Sequence, residues 1–213
     1  MELYLVRHGE TESNREKRYT GWTESPLSSS GLRQAEKAGV FLAAAGIDEL
    51  YCSDLQRAVA TASLIGAGSG LEPLVTPLLR EIHFGEWEGL TYREIEKKWG
   101  NAVREWFDDP FGRSAPGGET IEDVCRRLRT FIAHLEKSRK DGKKIALVSH
   151  GGTIRAFLYN LLALDRKSFW DMRIDNASIS LLRREDGCYK IVYRNRLDHL
   201  AAADERKESN DAD

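Results

Sequence analysis

The 213-residue chain has only three cysteines, five prolines and two methionines, and no apolar run near the ~18 residues that a membrane-spanning helix needs. Membrane insertion is thereby excluded. Cys52, Cys125 and Cys188 are odd in number, far apart, and outside any CxxC or Cys/His cluster. That pattern excludes a disulfide scaffold and a structural zinc site and reads as three buried small hydrophobes. The short apolar start, Leu3 to Val6, has no basic stretch before it, so no secretory signal is expected and the expected location is cytoplasmic. Charge of one sign is missing as well: 32 basic residues against 34 acidic give −2, so no global field recruits nucleic acid or an anionic membrane surface, and neither is expected as a partner. Any anion must be captured locally.

What is present suits one globular domain, with 41% hydrophobic and 31% charged residues. Leu3 to Val6 reads as a buried strand that stops at Arg7-His8-Gly9. A helix follows, with Ser28 or Ser30 as N-cap and Leu32, Ala35, Ala38, Gly39 and Leu42 on its inner face. Glu49 to Cys52 reads as a second strand, and Ser53-Asp54 as the cap of a helix carrying Leu55, Ala58, Val59, Ala62 and Ile65. A capping box at Thr120–Asp123 opens an amphipathic helix running from Ile121 to Leu135. Ile145 to Val148 is a third buried strand, ending at Ser149-His150-Gly151-Gly152 at the start of another helix. Two late strands, near 178–183 and 189–193, meet at Asp186-Gly187. The alternation predicts a three-layer α/β/α fold with a mainly parallel sheet and its ligand at the strand carboxyl ends.

Residues 1–200 are expected to form one domain, with 82–118 as a small insertion over those strand ends that determines the substrate, and 201–213 as a disordered tail. The insertion holds Trp87, Trp99, Trp106, Phe107 and Phe111, for which packing onto the core is favoured over stacking on a substrate ring.

Arg7, His8 and Asn14 stand at the first strand end, Arg57 at the start of the helix after the second, and His150 at the third. Two planar guanidinium forks, two imidazoles and the Gly151-Gly152 amides at a helix start suit a phosphoryl group, with one imidazole as nucleophile.

The chain resembles the histidine phosphatase superfamily, also called the phosphoglycerate mutase-like family. The matching segments are Leu5-Val6-Arg7-His8-Gly9-Glu10-Thr11 with Asn14, Thr20-Gly21-Trp22, Ser53 to Ala58, Leu79-Arg80-Glu81, Phe84 to Gly89 and Val148 to Gly152. The resemblance implies that His8 attacks phosphorus, that Arg7, Arg57 and His150 hold the phosphoryl oxygens, and that Glu81 protonates the leaving oxygen. It further implies secondary contacts to the phosphoryl group from Asn14, Thr20, Gly21 and Gly151, and neither metal nor cofactor. His83 stands where relatives commonly carry a small acidic or amide residue, beside the proposed acid.

Residues 82–89, Ile-His-Phe-Gly-Glu-Trp-Glu-Gly, look like the phosphatase branch rather than the cofactor-dependent mutases. Pro116 to Glu119, Phe169-Trp170, Asn195 and His199-Leu200 look most like the α-ribazole-5′-phosphate phosphatases of cobalamin biosynthesis. The expected partner is therefore a small phosphorylated metabolite, α-ribazole 5′-phosphate first. A broad-specificity phosphatase, a phosphoglycerate mutase and, remotely, a non-catalytic phospho-ligand binder are the alternatives. No pattern announces an interface between copies, and a homodimer stays open.

Overall fold

The computed structural model describes residues 1–137 and 142–201. In chain order the elements are β1 (Glu2–Arg7), α1 (Glu12–Arg15), α2 (Ser29–Ala45), β2 (Glu49–Ser53), α3 (Gln56–Ser69), β3 (Leu74–Thr76), α4 (Tyr92–Trp99), α5 (Ala102–Asp108), α6 (Ile121–Lys137), β4 (Lys144–Ser149), α7 (Gly151–Leu162), β5 (Ile179–Glu185), β6 (Cys188–Arg196) and α8 (Asp198–Ala201). Of the tail expected to be disordered, only Ala201 is described, as the last residue of α8; the rest lies outside the described residues.

The sheet has the order β3-β2-β4-β1-β5-β6. The pairs β2–β3, β2–β4 and β1–β4 are parallel, while β1–β5 and β5–β6 are antiparallel. The fold is thus the expected α/β class, with an antiparallel edge.

The continuous apolar runs of β1 and β4 follow from burial on both faces. Successive strand side chains point to opposite sides. Leu3, Leu5, Ile145 and Leu147 enter the core shared with α6, α7 and the insertion, whereas Tyr4, Val6, Ala146 and Val148 enter the one shared with α2 and α3. The sheet therefore separates two cores, and the central strands β1 and β4 carry polar residues only at their ends, Glu2 and Lys144 at the amino side and Arg7 and Ser149 at the carboxyl mouths.

Local chemistry sets several element ends. Ser28 Oγ accepts from the Gly31 amide at 3.0 Å, deciding the cap of α2. Thr120 and Asp123 form the expected reciprocal pair, Thr120 N donating to Asp123 Oδ2 at 3.0 Å and Asp123 N to Thr120 Oγ1 at 3.1 Å. Asp186 and Gly187 both have positive φ, 49° and 82°, the twist that a two-residue hairpin needs.

Four expectations are corrected. Leu32 does not join the inner face of α2; it is 44% exposed, because the stripe runs through Gly31, Ala35, Ala38, Gly39 and Leu42. Cys188 is exposed at the start of an edge strand, while Cys52 and Cys125 are buried. Ser53-Asp54 does not cap α3: Leu55 occupies the N-cap without a side-chain bond, and Asp54 instead pairs with Arg80 at 2.6 Å. The three-residue β3 was not expected, since two of its three residues are exposed and it lacks an apolar pattern.

Within the insertion, Trp87, Trp106 and Phe111 are buried in the core, in line with packing. Phe107 stays half-exposed, with its ring centroid 5.0 Å from that of Trp106 and 5.1 Å from that of Trp170.

Candidate active site

In the parallel register of β1 and β4, Arg7 lies opposite Ser149, so the next residues, His8 and His150, leave the sheet side by side. His8 N donates to Ser149 O at 2.9 Å, and the two ring centroids are 5.1 Å apart. The His8 ring nitrogen Nδ1 lies 2.7 Å from the Gly9 carbonyl, which can only accept. The proton is therefore on Nδ1, and Nε2 carries a free lone pair. In His150, Nδ1 accepts from Arg57 Nε at 3.3 Å, which places the proton on Nε2, a buried atom without a hydrogen-bond partner among the described residues.

Burial, with the Arg57 guanidinium next, pushes both imidazoles well below the ordinary histidine value. Both are neutral at pH 7. His8 is thus a neutral base with its lone pair exposed to the site, and His150 a neutral donor.

Arg57, 1% exposed, is held by the loop 20–23: Nη1 donates to Thr23 O at 3.0 Å and Nη2 to Gly21 O at 2.5 Å and Thr20 O at 3.4 Å. Glu88 in turn fixes that loop, accepting from Trp22 N at 2.8 Å, from Thr23 N at 2.5 Å and from the Thr23 hydroxyl, and it ties in Phe84 N at 3.1 Å. Close approach needs Gly21, where a Cβ would stand 2.4 Å from Glu88 Oε1 and 2.5 Å from Ile82 O. Arg7 Nη1 donates to Ile174 O at 2.8 Å, while its Nε is buried without a partner among the described residues. Burial lowers the Arg7 guanidinium to about 10, which leaves it charged at neutral pH.

The Glu81 carboxylate sits on the N-terminus of α7. Oε1 accepts from the Ile82 and Thr153 amides at 2.9 and 3.0 Å, which take both its lone pairs, while the Thr153 hydroxyl gives its proton to Arg80 O at 2.6 Å; among the described residues Oε2 accepts from Gly152 N at 3.0 Å. Oε1 is saturated, so Oε2 is the oxygen left to exchange a proton. This corrects the expectation for Gly152: its amide serves Glu81 rather than a phosphoryl oxygen, and a Cβ there would lie 2.7 Å from Oε1.

Arg7, His8, Asn14, Thr20, Arg57 and Glu81 line one cavity of about 290 Å³. His150 is fully buried behind it. Gly151 lines a second, adjoining cavity of about 400 Å³, which shares Arg7, Tyr19, Glu81 and Phe84 with the first and is walled by Trp106, Phe107 and Trp170. Thr20 and Gly21 reach Arg57 through their carbonyls, so Gly21 acts behind the guanidinium rather than on a ligand. Asn14 Oδ1 accepts from Thr11 N at 3.2 Å and from Asn176 Nδ2 at 2.9 Å, which leaves its amide nitrogen as the donor. His83 turns from the Glu81 carboxylate; its ring packs on Trp22 at 4.6 Å and faces Glu88 at 3.6 Å.

Four participants had not been singled out from sequence. Asn176 Nδ2 also reaches the His8 carbonyl at 3.2 Å, Arg127 Nη2 donates to the Glu81 carbonyl at 3.0 Å, Glu88 orders the Arg57 loop, and Arg155 lines the second cavity. Only Arg155 had a readable signal, a lone charge in the apolar stretch Ile154 to Leu158.

The model of the histidine phosphatase superfamily (branch 1) matches residues 3–196. Phosphoserine phosphatase 1 of Hydrogenobacter thermophilus is 32% identical over 200 residues, 94% of either chain. The adenosylcobalamin/alpha-ribazole phosphatase of Salmonella typhimurium is 31% identical over 192 residues, 90% of either chain. The solved mycobacterial glucosyl-3-phosphoglycerate phosphatase complexed with VO3 superposes with a TM-score of 0.86 at 32% identity, covering 92% of this chain and 99% of that one. 2,3-Bisphosphoglycerate-dependent phosphoglycerate mutases match too, at 32% and 33% identity.

Proposed function

Because the chain belongs to the histidine phosphatase superfamily and is a phosphatase, we propose that it hydrolyses small phosphomonoesters through a phosphohistidine on His8. The supporting observation is the neutral His8 with Nε2 free, beside two buried donors that have no partner among the described residues, His150 Nε2–H and Arg7 Nε–H. Buried unpaired donors are costly unless an anion takes them up. A phosphoryl group does so, and its equatorial oxygens gain charge stabilisation from Arg7 and Arg57 in the transition state.

In the first step the His8 Nε2 lone pair attacks phosphorus, the bond to the leaving oxygen breaks, and Glu81 Oε2 delivers a proton to that oxygen. In the second, water attacks the phosphohistidine, Glu81 takes the water's proton, and phosphate leaves as His8 regains its lone pair. The charge that polarises phosphorus comes from side chains, so no metal enters the scheme. Transfer to a second substrate, as in a mutase, is disfavoured by residues 82–89, which look like those of the phosphatase branch.

For the leaving group, the ring walls of the second cavity accept a planar base, which supports α-ribazole 5′-phosphate. A small carboxylated phosphomonoester is the second reading, and the observation favouring it is the guanidinium of Arg155 in that cavity. Cytoplasmic action on a metabolite agrees with both, and no helix among the described residues is long and apolar enough to cross a membrane. Rapid-quench with a 32P-labelled phosphomonoester should trap an acid-labile, alkali-stable label on the wild-type protein and none on His8→Ala. Turnover by His8→Ala at the wild-type rate would overturn the proposal.

A further inference from the structure

The cavity beyond Glu81 combines features that a purely apolar leaving group does not use. Trp106, Phe107 and Trp170 form a ring cluster with centroids 5.0 to 5.3 Å apart, and the Arg155 guanidinium lines the cavity with them, while Arg7 stands where this cavity joins the first. Arg155 Nε donates to Met172 O at 2.7 Å, which fixes the plane of the guanidinium. Its two terminal amino groups have no hydrogen-bond or ion-pair partner among the described residues. The ring of Trp170 lies 5.7 Å from Cζ.

Position along α7 adds a distance. Gly151 and Arg155 are four residues apart, so both face the cavity, about 6 Å apart along the helix axis. Gly151 is the point where α7 meets Arg7: a Cβ there would lie 3.4 Å from Arg7 Nε. A second anion bound by Arg155 is therefore placed roughly one helical turn from the phosphoryl clamp, with the Glu81 carboxylate beside the bond to be broken. A planar fork oriented through Nε and open at both ends matches a carboxylate in bidentate geometry, whereas a lysine at this position would offer a point charge.

We propose that Arg155 is a specificity-determining residue that binds a carboxylate on the leaving group of the substrate, two or three bonds from the ester oxygen. This rests on the phosphatase reading above and chooses the second of its substrate classes. It also gives the ring cluster its role: the rings exclude water from the ion pair, which strengthens it.

The test is a matched pair of esters that differ only at that group, 3-phospho-D-glycerate and sn-glycerol 1-phosphate, assayed for phosphate release with the full chain. Wild-type protein should favour the carboxylated ester about 10- to 100-fold in kcat/KM, the scale of one charged hydrogen-bonded contact. In Arg155→Gln the ratio should fall to near 1, with the loss carried by KM, and Arg155→Lys should keep an intermediate ratio. Equal kcat/KM for the two esters in the wild type, or an Arg155→Gln loss that is the same on both, overturns the proposal, the latter showing that Arg155 acts through Glu81 or through packing. If Arg155→Gln fails to fold, the wild-type ratio and the lysine variant still decide. Failure to release phosphate from either ester or from p-nitrophenyl phosphate would instead overturn the phosphatase reading.

Discussion

At the scale of single residues, Glu81 is the group whose geometry makes the sharpest demand. Both lone pairs of its Oε1 are taken by backbone amides, so proton exchange at Oε2 must carry both half reactions. The need for that proton depends on the leaving group. An alkyl alcohol cannot depart as an alkoxide, while p-nitrophenolate departs unaided. General acid assistance is worth about 100- to 10,000-fold. Glu81→Gln is therefore expected to lower kcat/KM at least about 100-fold on an alkyl phosphate and markedly less on p-nitrophenyl phosphate. kcat/KM is the quantity to measure, because it reports only the steps through phosphoryl transfer to His8. Equal losses on the two esters would remove Glu81 from the acid role. Sequence alone could nominate Glu81 over Glu86 and Glu88 only by resemblance, since nothing in the letters says which carboxylate meets a helix N-terminus; the structure separates them by placing Glu81 on α7 and Glu88 on the loop 20–23.

Secondary-structure elements explain why that loop matters. Arg57 begins on α3, yet what aims it are carbonyls of residues 20, 21 and 23, and what holds those carbonyls is one carboxylate from 88. Removing one member of such a buried network costs about 1–3 kcal/mol. Glu88→Gln is expected to weaken competitive inhibition by inorganic phosphate about 10-fold by letting Arg57 turn, while the single-turnover label on His8 still forms. Glu88→Gln that lowers Tm but leaves the phosphate Ki intact would reduce Glu88 to a purely structural role. Relations of this kind are illegible in a sequence, because a backbone carbonyl has no letter and its partner lies 34 to 37 residues away. Where a signal is local, reading succeeded: the apolar quartets of β1 and β4, the Ser28 cap, and the Thr120–Asp123 box all formed as expected. Where a residue's side depends on what lies across from it, reading failed, as at Leu32 and Cys188.

On the scale of the whole molecule, three of the five histidines, His8, His150 and His199, are held below the ordinary histidine value, each first by burial. In the unfolded chain each returns to about 6.5. Below that pH the unfolded chain binds protons that the folded one refuses, so stability is full above about pH 6.5 and is lost as pH falls. Carboxylates shifted in the same direction, such as Asp54 by its bond to Arg80 and Asp123 by its bond to Thr120, act only as pH approaches their ordinary value of 3.8. Between pH 7.5 and 5 the histidines therefore dominate. Each contributes up to about 1.4 kcal/mol per pH unit, and a chain of this size loses roughly 2–4 °C in Tm per kcal/mol. Because His8 and His150 lie ring to ring and oppose each other's protonation, their pH dependence is expected to act as that of a pair. In a buffer free of phosphate, Tm should drop at least about 5 °C between pH 7.5 and 5.0, and His8→Asn should flatten that drop by removing one titrating ring whatever it does to Tm at pH 7.5. A Tm that holds constant over this range, or an unchanged drop in His8→Asn, would mean that His8 takes up its proton in the folded protein as readily as in the unfolded chain, so that below about pH 6.5 it would lack the lone pair on which phosphoryl transfer depends.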